Sequence, residues 1–137
     1  MTLDEVWSVY NCTENCSKES YFPEPSRERL WLGLYEGINM IGLFYVKIQT
    51  MCTIELHPFI LHGHKHKIRD AMNLFFSWAF YNEAIFKINV VIPFLYPKSR
   101  NCALKCGFKD EGIDYMSYIK HGSLCDQWRM GIKRGDV

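Results

Sequence analysis

The sequence lacks a surplus of charge of either sign. Its 16 lysines and arginines nearly balance its 15 aspartates and glutamates, which leaves a formal net charge of +1. A protein that binds nucleic acid mainly through the phosphates needs a clustered positive surplus. We therefore expect no direct binding to nucleic acid, and we expect the partners of this chain to be proteins.

Long apolar runs are also missing. Crossing a bilayer takes roughly 18 uninterrupted apolar residues, whereas the richest run here, residues 74–80, is short and flanked by Arg69, Asp70 and Glu83. The first ten residues, MTLDEVWSVY, contain neither a basic region nor an apolar core, so we expect no secretory signal and no membrane span. The 137 residues, 48% hydrophobic and 15% aromatic, are enough for the core of one domain.

Six cysteines form an even set, at positions 12, 16, 52, 102, 106 and 125. Because no export signal is visible, we expect reduced thiols that pack as small buried hydrophobic groups. Cys102 and Cys106 are four residues apart and would share one face of a helix, but zinc sites use other spacings. A disulfide framework is the alternative interpretation.

Hydrophobic periodicity predicts the secondary structure from residue 30 onward. Alternation predicts strands over 30–35, 40–48 and 51–59, joined by short turns into an antiparallel meander. Apolar residues recur at helical spacing in 67–82, which predicts an amphipathic helix with Trp78 in the core. A strand over 86–92, a short helix over 99–105 and a closing hairpin of 108–119 with 124–132 complete the order.

These elements predict an α/β fold (α+β in some schemes) with a central mixed sheet. The strand, crossover helix and following strand form a βαβ unit, which implies one parallel strand pair. We predict an N-terminal arm over residues 1–29, with a short helix capped by Thr2 and a polar loop after it. The folded domain is predicted to cover residues 30–137.

The element order and three segments resemble the GNAT N-acetyltransferase fold over about residues 30–132. The stretch IELHPFILHGHKHKIRDAMNLFFSWAF is similar to the strand, phosphate loop and helix of that family, and INVVIPF is similar to its next strand. The stretch CALKCGFKDEG is similar to the Gly-Phe signature after the family's last helix. The resemblance implies a single GNAT-like domain with a V-shaped opening beside the third strand.

The resemblance also implies where a site would lie. Glu55, on the third strand, would act as the catalytic base, with His57 on the same face. The cofactor would be acetyl-CoA or CoA if the protein is active, and backbone amides at the helix N-terminus would bind its pyrophosphate. These amides belong to His62, Gly63, His64, Lys65 and His66. We predict no metal site for the three histidines, because no carboxylate or Cys-x-x-Cys partner is nearby.

Two departures from the family pattern weigh against catalysis. The loop has a single glycine, Gly63, and the position of the family's tyrosine acid falls on Ala103, which cannot donate a proton. The family's usual asparagine falls on Tyr96, and either Tyr96 or Tyr115 is a candidate substitute acid. We therefore expect a domain that binds rather than turns over substrate, with no cofactor.

A narrower resemblance is to small GNAT-like proteins of tailed bacteriophages. It implies a virion (head) assembly or DNA-ejection-associated factor that acts through protein–protein binding, with another virion or ejection protein as partner. Its location would be the host cytoplasm during assembly, or the virion. The alternative is an acetyl-CoA-dependent N-acetyltransferase, and a third interpretation is an inert relative that regulates a host protein. Closure of the V-shaped opening by side chains would favour a non-catalytic domain.

Overall fold

Six strands and two α-helices are built from residues 29–137, the part of the chain that the computed structural model describes. The strands are β1 Arg29–Glu36, β2 Asn39–Ile48, β3 Thr53–Ile60, β4 Lys87–Pro93, β5 Lys109–Lys120 and β6 Ser123–Lys133. The helices are α1 Ile68–Tyr81 and α2 Pro97–Lys105. None of these helices is long and apolar enough to cross a membrane. The predicted arm, with Thr2, Cys12 and Cys16, lies outside the described residues except for Arg29, which begins β1.

The strands form one mixed sheet in the order β1-β2-β3-β4-β6-β5. β3 and β4 are parallel, and the other neighbours are antiparallel. The predicted α/β fold, meander, βαβ unit and closing hairpin are therefore confirmed. β3 starts two residues later than predicted, because the Thr50 hydroxyl accepts hydrogen bonds from the Cys52 and Thr53 amides and holds a turn there.

The main core lies between one face of the sheet and α1. The buried residues of α1 are Ala71, Met72, Phe75, Phe76 and Ala79. Phe75 meets Phe44 of β2 edge-on at a centroid distance of 5.3 Å, and Phe76 lies 5.6 Å from Phe108. Fully burying one such side chain contributes about 1.5–3 kcal/mol, so α1 anchors the sheet through this face.

Trp78 is not the core residue that its spacing predicts. Its side chain is 48% exposed, and Leu74 and Tyr81 on the same outer face of α1 are more exposed still. Because Phe75 and Phe76 already fill the space against the sheet, Trp78 only leans on Phe75, with ring centroids 5.6 Å apart. The apolar surface of α1 is therefore wider than the surface it buries.

β3 and β4 separate soon after they begin. They pair only at Thr53 with Lys87, Ile54 with Ile88, and Glu55 with Asn89. Pro58, which has no backbone N–H to donate, lies in the part of β3 that β4 leaves unpaired. The strands diverge from Glu55 onward, and this divergence is the V-shaped opening that the resemblance implies.

Candidate active site

A cavity of about 1000 Å³ fills the opening between β3 and β4. β3 contributes its residues from Glu55 to Ile60, and β4 those from Val90 to Pro93. The helical side contributes Lys65, Ile68, Met72, Cys102, Ala103 and Cys106. Side chains do not close the opening, and its volume matches the larger small-molecule sites of proteins.

Glu55 and His57 form a hydrogen-bonded pair at the mouth of the divergence. Their side chains project from the same face of β3, with Nε2 of His57 2.8 Å from Oε2 of Glu55, and they are 16% and 17% exposed. Burial raises the pKa of Glu55, but the hydrogen bond from His57 and the charges of His57 and Lys47 outweigh it and hold that pKa below its usual value. Glu55 is therefore a carboxylate at neutral pH.

The pair has the chemistry of an imidazole oriented by a carboxylate. The carboxylate of such a pair fixes the orientation of the imidazole ring. The structure thus joins Glu55, the predicted base, to His57 on the same face of β3.

An aromatic wall lies beside this pair on the neighbouring strands. Tyr45 faces His57 in the β2–β3 register, with ring centroids 5.6 Å apart, and Trp31 lies 4.6 Å from Tyr45. Burial raises the pKa of Tyr45, so its phenol stays neutral next to the carboxylate. The sequence pattern placed Trp31 and Tyr45 on strands, but only the strand register shows that Tyr45 lies beside His57 and Trp31 beside Tyr45.

The predicted phosphate loop forms a tight turn into α1. The His64 amide donates to the Leu61 carbonyl at 3.0 Å, and Gly63 has a φ of +90°, a left-handed conformation that favours glycine. A short 3-10 turn, Lys65–Lys67, then leads into the helix. The first amides of a helix lack intrahelical acceptors, so this segment presents N–H groups and the Lys65 ammonium to an anion.

Lys65 is the member of the predicted loop set that lines the cavity, while His62, Gly63, His64 and His66 form the turn around it. Within residues 29–137, no three His, Cys, Asp or Glu side chains are grouped closely enough to hold a metal ion.

The helical wall of the cavity has no tyrosine at the expected position. Ala103 lines the cavity, as does Tyr96 at the start of α2. The Tyr96 hydroxyl accepts a hydrogen bond from the ammonium of Lys120, which also lies 4.9 Å from the Tyr96 ring centroid. Tyr96 is thus a cavity phenol, whereas Tyr115 is 75% exposed and does not line the cavity.

A third cavity phenol, besides Tyr45 and Tyr96, is Tyr118, which comes from β5 and escaped the sequence analysis. The pairing of β5 with β6 shifts between Asp114 and Tyr118, and Met116 in between has a φ of +51°. This bulge turns Tyr118 inward and leaves Tyr115 outside. Because β5 takes four steps from Asp114 to Tyr118 where β6 takes two, the regular alternation is interrupted there. Only the observed register therefore identifies Tyr118.

Two thiols also face the cavity from α2. The four cysteines among residues 29–137 are free, and Cys102 and Cys106 both line the cavity. A hydrogen bond from Cys106 lowers the pKa of Cys102 to about 7, with Lys105 and Arg69 contributing positive charge. The same bond and burial raise the pKa of Cys106. The two thiols are thus partly buried and line the cavity.

A smaller polar pocket of about 330 Å³ adjoins Glu55 on the far side of the opening. Two ion pairs border it, Lys87 with Glu111 at 2.5 Å and Arg129 with Asp114 at 3.0 Å. A β-carbon on Gly131 would lie 2.6 Å from Cε of Lys87, which is too close. The glycine therefore leaves room for the Lys87–Glu111 ion pair to lie across β6. A polar molecule can thus approach Glu55 from this side.

Comparison with solved structures finds the same fold in acetyltransferases. A chimera of the spermidine N-acetyltransferase SpeG from Vibrio cholerae and hSSAT superposes with a TM-score of 0.83 at 18% identity, over 98% of this chain and 93% of that one. The Vibrio cholerae spermidine N-acetyltransferase in complex with CoA and spermine gives 0.80 at 19% identity, over 99% and 94%. The protein smu.2055 from Streptococcus mutans gives 0.73 at 12% identity, over 97% and 96%.

These likenesses show a shared fold. No family model matches the sequence, and no curated protein is significantly similar to it. The central mixed sheet with its two helices is thus the GNAT α/β fold, as the segments around the third strand predicted.

Proposed function

We propose that this protein is an acetyl-CoA-dependent N-acetyltransferase. The observation that carries the proposal is the open cavity of about 1000 Å³ between the diverging strands, with a Glu–His pair at one end and a helix N-terminus with Lys65 at its rim. The CoA complex of the similar Vibrio cholerae enzyme supports the choice of cofactor. This is the alternative that the sequence left beside the virion-assembly interpretation.

The residues of the cavity suit the binding of acetyl-CoA. The amides of the turn at Gly63 and the ammonium of Lys65 would hold the pyrophosphate, as helix N-termini do for phosphates. Acetyl-CoA supplies a thioester carbonyl that an amine can attack. His57 takes the proton from the incoming amine, directly or through a water molecule, and Glu55 holds the imidazole in place.

The polar pocket beside Glu55 is the proposed entry for the acceptor amine. It is bordered by the carboxylates of Glu55, Glu111 and Asp114, two of which are paired with Lys87 and Arg129. Carboxylates favour a protonated amine on approach. A polyamine is the first acceptor to test, because spermidine is named as the substrate of two of the similar structures.

Calorimetric titration with acetyl-CoA tests the proposal directly. Binding stabilises the folded state by mass action, about 2.7 kcal/mol when the free ligand is at 100 times its dissociation constant. Lys65→Ala should weaken binding, whereas Lys133→Ala, on the exposed end of β6, should not. An absence of heat and of thermal stabilisation at millimolar acetyl-CoA would overturn the proposal.

A second measurement separates chemistry from binding. His57→Gln should lose acetyl transfer to amines by roughly 100-fold or more, the range of a positioned base, while acetyl-CoA binds as before. Unchanged turnover would remove His57 from the mechanism.

The function as a bacteriophage virion-assembly factor stays a prediction. No feature of residues 29–137 and none of the three similar structures favours it. Its test is co-purification with a neighbouring virion protein. If the protein binds acetyl-CoA and acetylates amines but captures no virion protein, the virion-assembly function is ruled out and the enzymatic proposal remains.

A further inference from the structure

A chain of side-chain hydrogen bonds runs from β4 to the Glu55–His57 pair. The amide nitrogen of Asn89 donates to Oε1 of Gln49 at 2.7 Å, and the amide nitrogen of Gln49 donates to Oε1 of Glu55 at 3.3 Å. His57 bonds the other carboxylate oxygen, Oε2, at 2.8 Å. Both oxygens of Glu55 are therefore held, one by the imidazole and one by the chain of amides.

The backbone places the two amide side chains beside the carboxylate. Asn89 is the β4 residue opposite Glu55 in the last parallel pair before the strands diverge. Gln49 directly follows β2, and its backbone amide donates to the Thr53 carbonyl at 3.1 Å across the turn into β3. Both side chains border the smaller polar pocket, and neither lines the cavity of about 1000 Å³. They thus support the pair from outside the compartment that acetyl-CoA would enter.

The carboxylate fixes the direction of every bond in this chain. An ionised carboxylate only accepts hydrogen bonds, so the nitrogen of the Gln49 amide must face Glu55 and its oxygen must face β4. Only the nitrogen of the Asn89 amide can donate to that oxygen. A side chain that cannot donate at position 89, or that cannot both donate and accept at position 49, would break the chain.

The remaining oxygen of Asn89 indicates what this residue contributes. Its Oδ1 atom is buried, and no donor among residues 29–137 bonds it. An unpaired buried acceptor costs stability, whereas an apolar side chain of the same shape would avoid that cost. The contribution of Asn89 at this position is therefore its amide donor rather than packing.

We propose that Gln49 and Asn89 are positioning residues that hold the Glu55–His57 pair in its orientation. Gln49 acts on the carboxylate directly, and Asn89 acts through Gln49. The inference rests on the proposed function, which assigns the proton of the incoming amine to this pair. The support of Glu55 itself can also be tested without turnover.

Steady-state kinetics test the chain with side chains that keep the shape of each amide. Gln49→Met and Asn89→Leu should each lower kcat by roughly 10- to 100-fold, because a carboxylate without this support no longer fixes the imidazole. The KM for the amine and the affinity for acetyl-CoA should stay unchanged. The double variant should be no slower than Gln49→Met, because Asn89 acts through Gln49. Asn73→Leu, which changes an exposed amide of α1 outside both pockets, is the matched control and should keep wild-type kinetics.

Carbon NMR of the Glu55 carboxyl group across a pH titration gives a readout that does not need turnover. Gln49→Met removes a hydrogen bond to the charged form, so the pKa of Glu55 should rise, whereas Asn73→Leu should leave it unchanged. Neither substitution alters the charged and titratable groups around Glu55, which are Lys47, His57, Lys87, Glu111, Asp114 and Arg129.

The outcomes separate this inference from the proposed function. A higher KM for the amine with an unchanged kcat would make Gln49 a substrate contact and overturn the inference. Unchanged kinetics together with an unchanged titration of Glu55 in Gln49→Met would also overturn it and leave the proposed function intact. If the wild-type protein binds no acetyl-CoA, the proposed function fails, and the titration still decides whether the amide chain holds Glu55.

Discussion

At the scale of single residues, the chemistry of the cavity depends on where its protons lie. Glu55 is ionised because His57 and Lys47 offset the cost of its burial. Tyr45 keeps its proton because burial raises its pKa. A carboxylate, an imidazole and a neutral phenol are thus held on adjacent strands, and the proposed transfer of an acetyl group to an amine would use the first two.

Glu55→Gln tests the charge of this carboxylate through its effect on stability. A carboxyl group whose pKa is lower in the folded protein stabilises it above the pKa of the unfolded chain, and this contribution disappears as the pH falls through the folded value. We expect the wild-type protein to be more stable than Glu55→Gln above about pH 4.5, the ordinary value, and the difference to shrink below it. Urea unfolding across this range measures it, and a constant difference would contradict the assignment.

The role of Gly63 in the turn before α1 can also be tested by a single substitution. Its φ of +90° is unfavourable for a side chain, although nothing lies within 4 Å of a β-carbon placed there. Gly63→Ala should therefore cost about 1–2 kcal/mol from backbone conformation alone and weaken acetyl-CoA binding. Gly135→Ala is the matched control, since its surroundings are equally open and its φ is not in the left-handed range. Equal unfolding free energies for the two variants would refute this explanation.

At the scale of elements, the C-terminal end of α1 is held by a residue far away in the sequence. Arg134, in the 3-10 turn Arg134–Asp136 after β6, donates to the carbonyl oxygens of Phe80, Asn82 and Ile85 at 2.8, 2.7 and 2.5 Å. Its guanidinium also lies over the rings of Phe80 and Phe86. A cation at this position satisfies helix-end carbonyls and complements the helix dipole.

Arg134→Met tests this clamp. The variant keeps much of the apolar contact with Phe80 and Phe86 but leaves three carbonyls without their charged donor, so we expect a loss of about 2 kcal/mol or more in the free energy of unfolding. Arg134→Lys should recover only part of it, because an ammonium lacks the planar fork of donors. Chemical denaturation measures both, and Lys133→Ala serves as the neutral neighbour. A loss no larger for Arg134→Met than for that control would rule the clamp out.

The sequence predicts most elements but little of the site. Alternation in β2 and helical spacing in α1 are regular over long stretches, so local pattern was enough for the sheet order of the meander and for α1. Trp78 was misplaced because spacing alone does not tell which side of a wide apolar face is covered. Tyr118 and the Cys102–Cys106 pair needed the bulge in β5 and the position of α2, which depend on contacts distant in sequence.

At the scale of the whole molecule, the sheet consists of two sectors joined by the short parallel pairing of β3 with β4. β1 to β3 form one sector and β4 to β6 the other, and only three residue pairs connect them. α1 bridges below the opening, because Phe75 packs against Phe44 of β2 and Phe76 packs against Phe108, which precedes β5. We therefore expect the opening to depend on the packing of α1 against both sectors.

Phe76→Ala should therefore weaken the molecule as a whole. Removing a fully buried phenylalanine costs about 3–5 kcal/mol, and we also expect weaker acetyl-CoA binding, since the cavity walls come from both sectors. Leu74→Ala, on the exposed face of the same helix, should stay within about 0.5 kcal/mol of the wild type. Thermal unfolding and calorimetry measure both effects, and similar losses for the two variants would contradict the bridge.

The bulge that turns Tyr118 inward also shapes the outer margin of the sheet. β5 is an end strand of the described sheet, and a straight end strand offers its free backbone groups as a template for strands of other molecules. Between Asp114 and Tyr118 the regular spacing of those groups is broken. The irregularity next to the cavity phenol thus also makes this edge a poorer template for added strands.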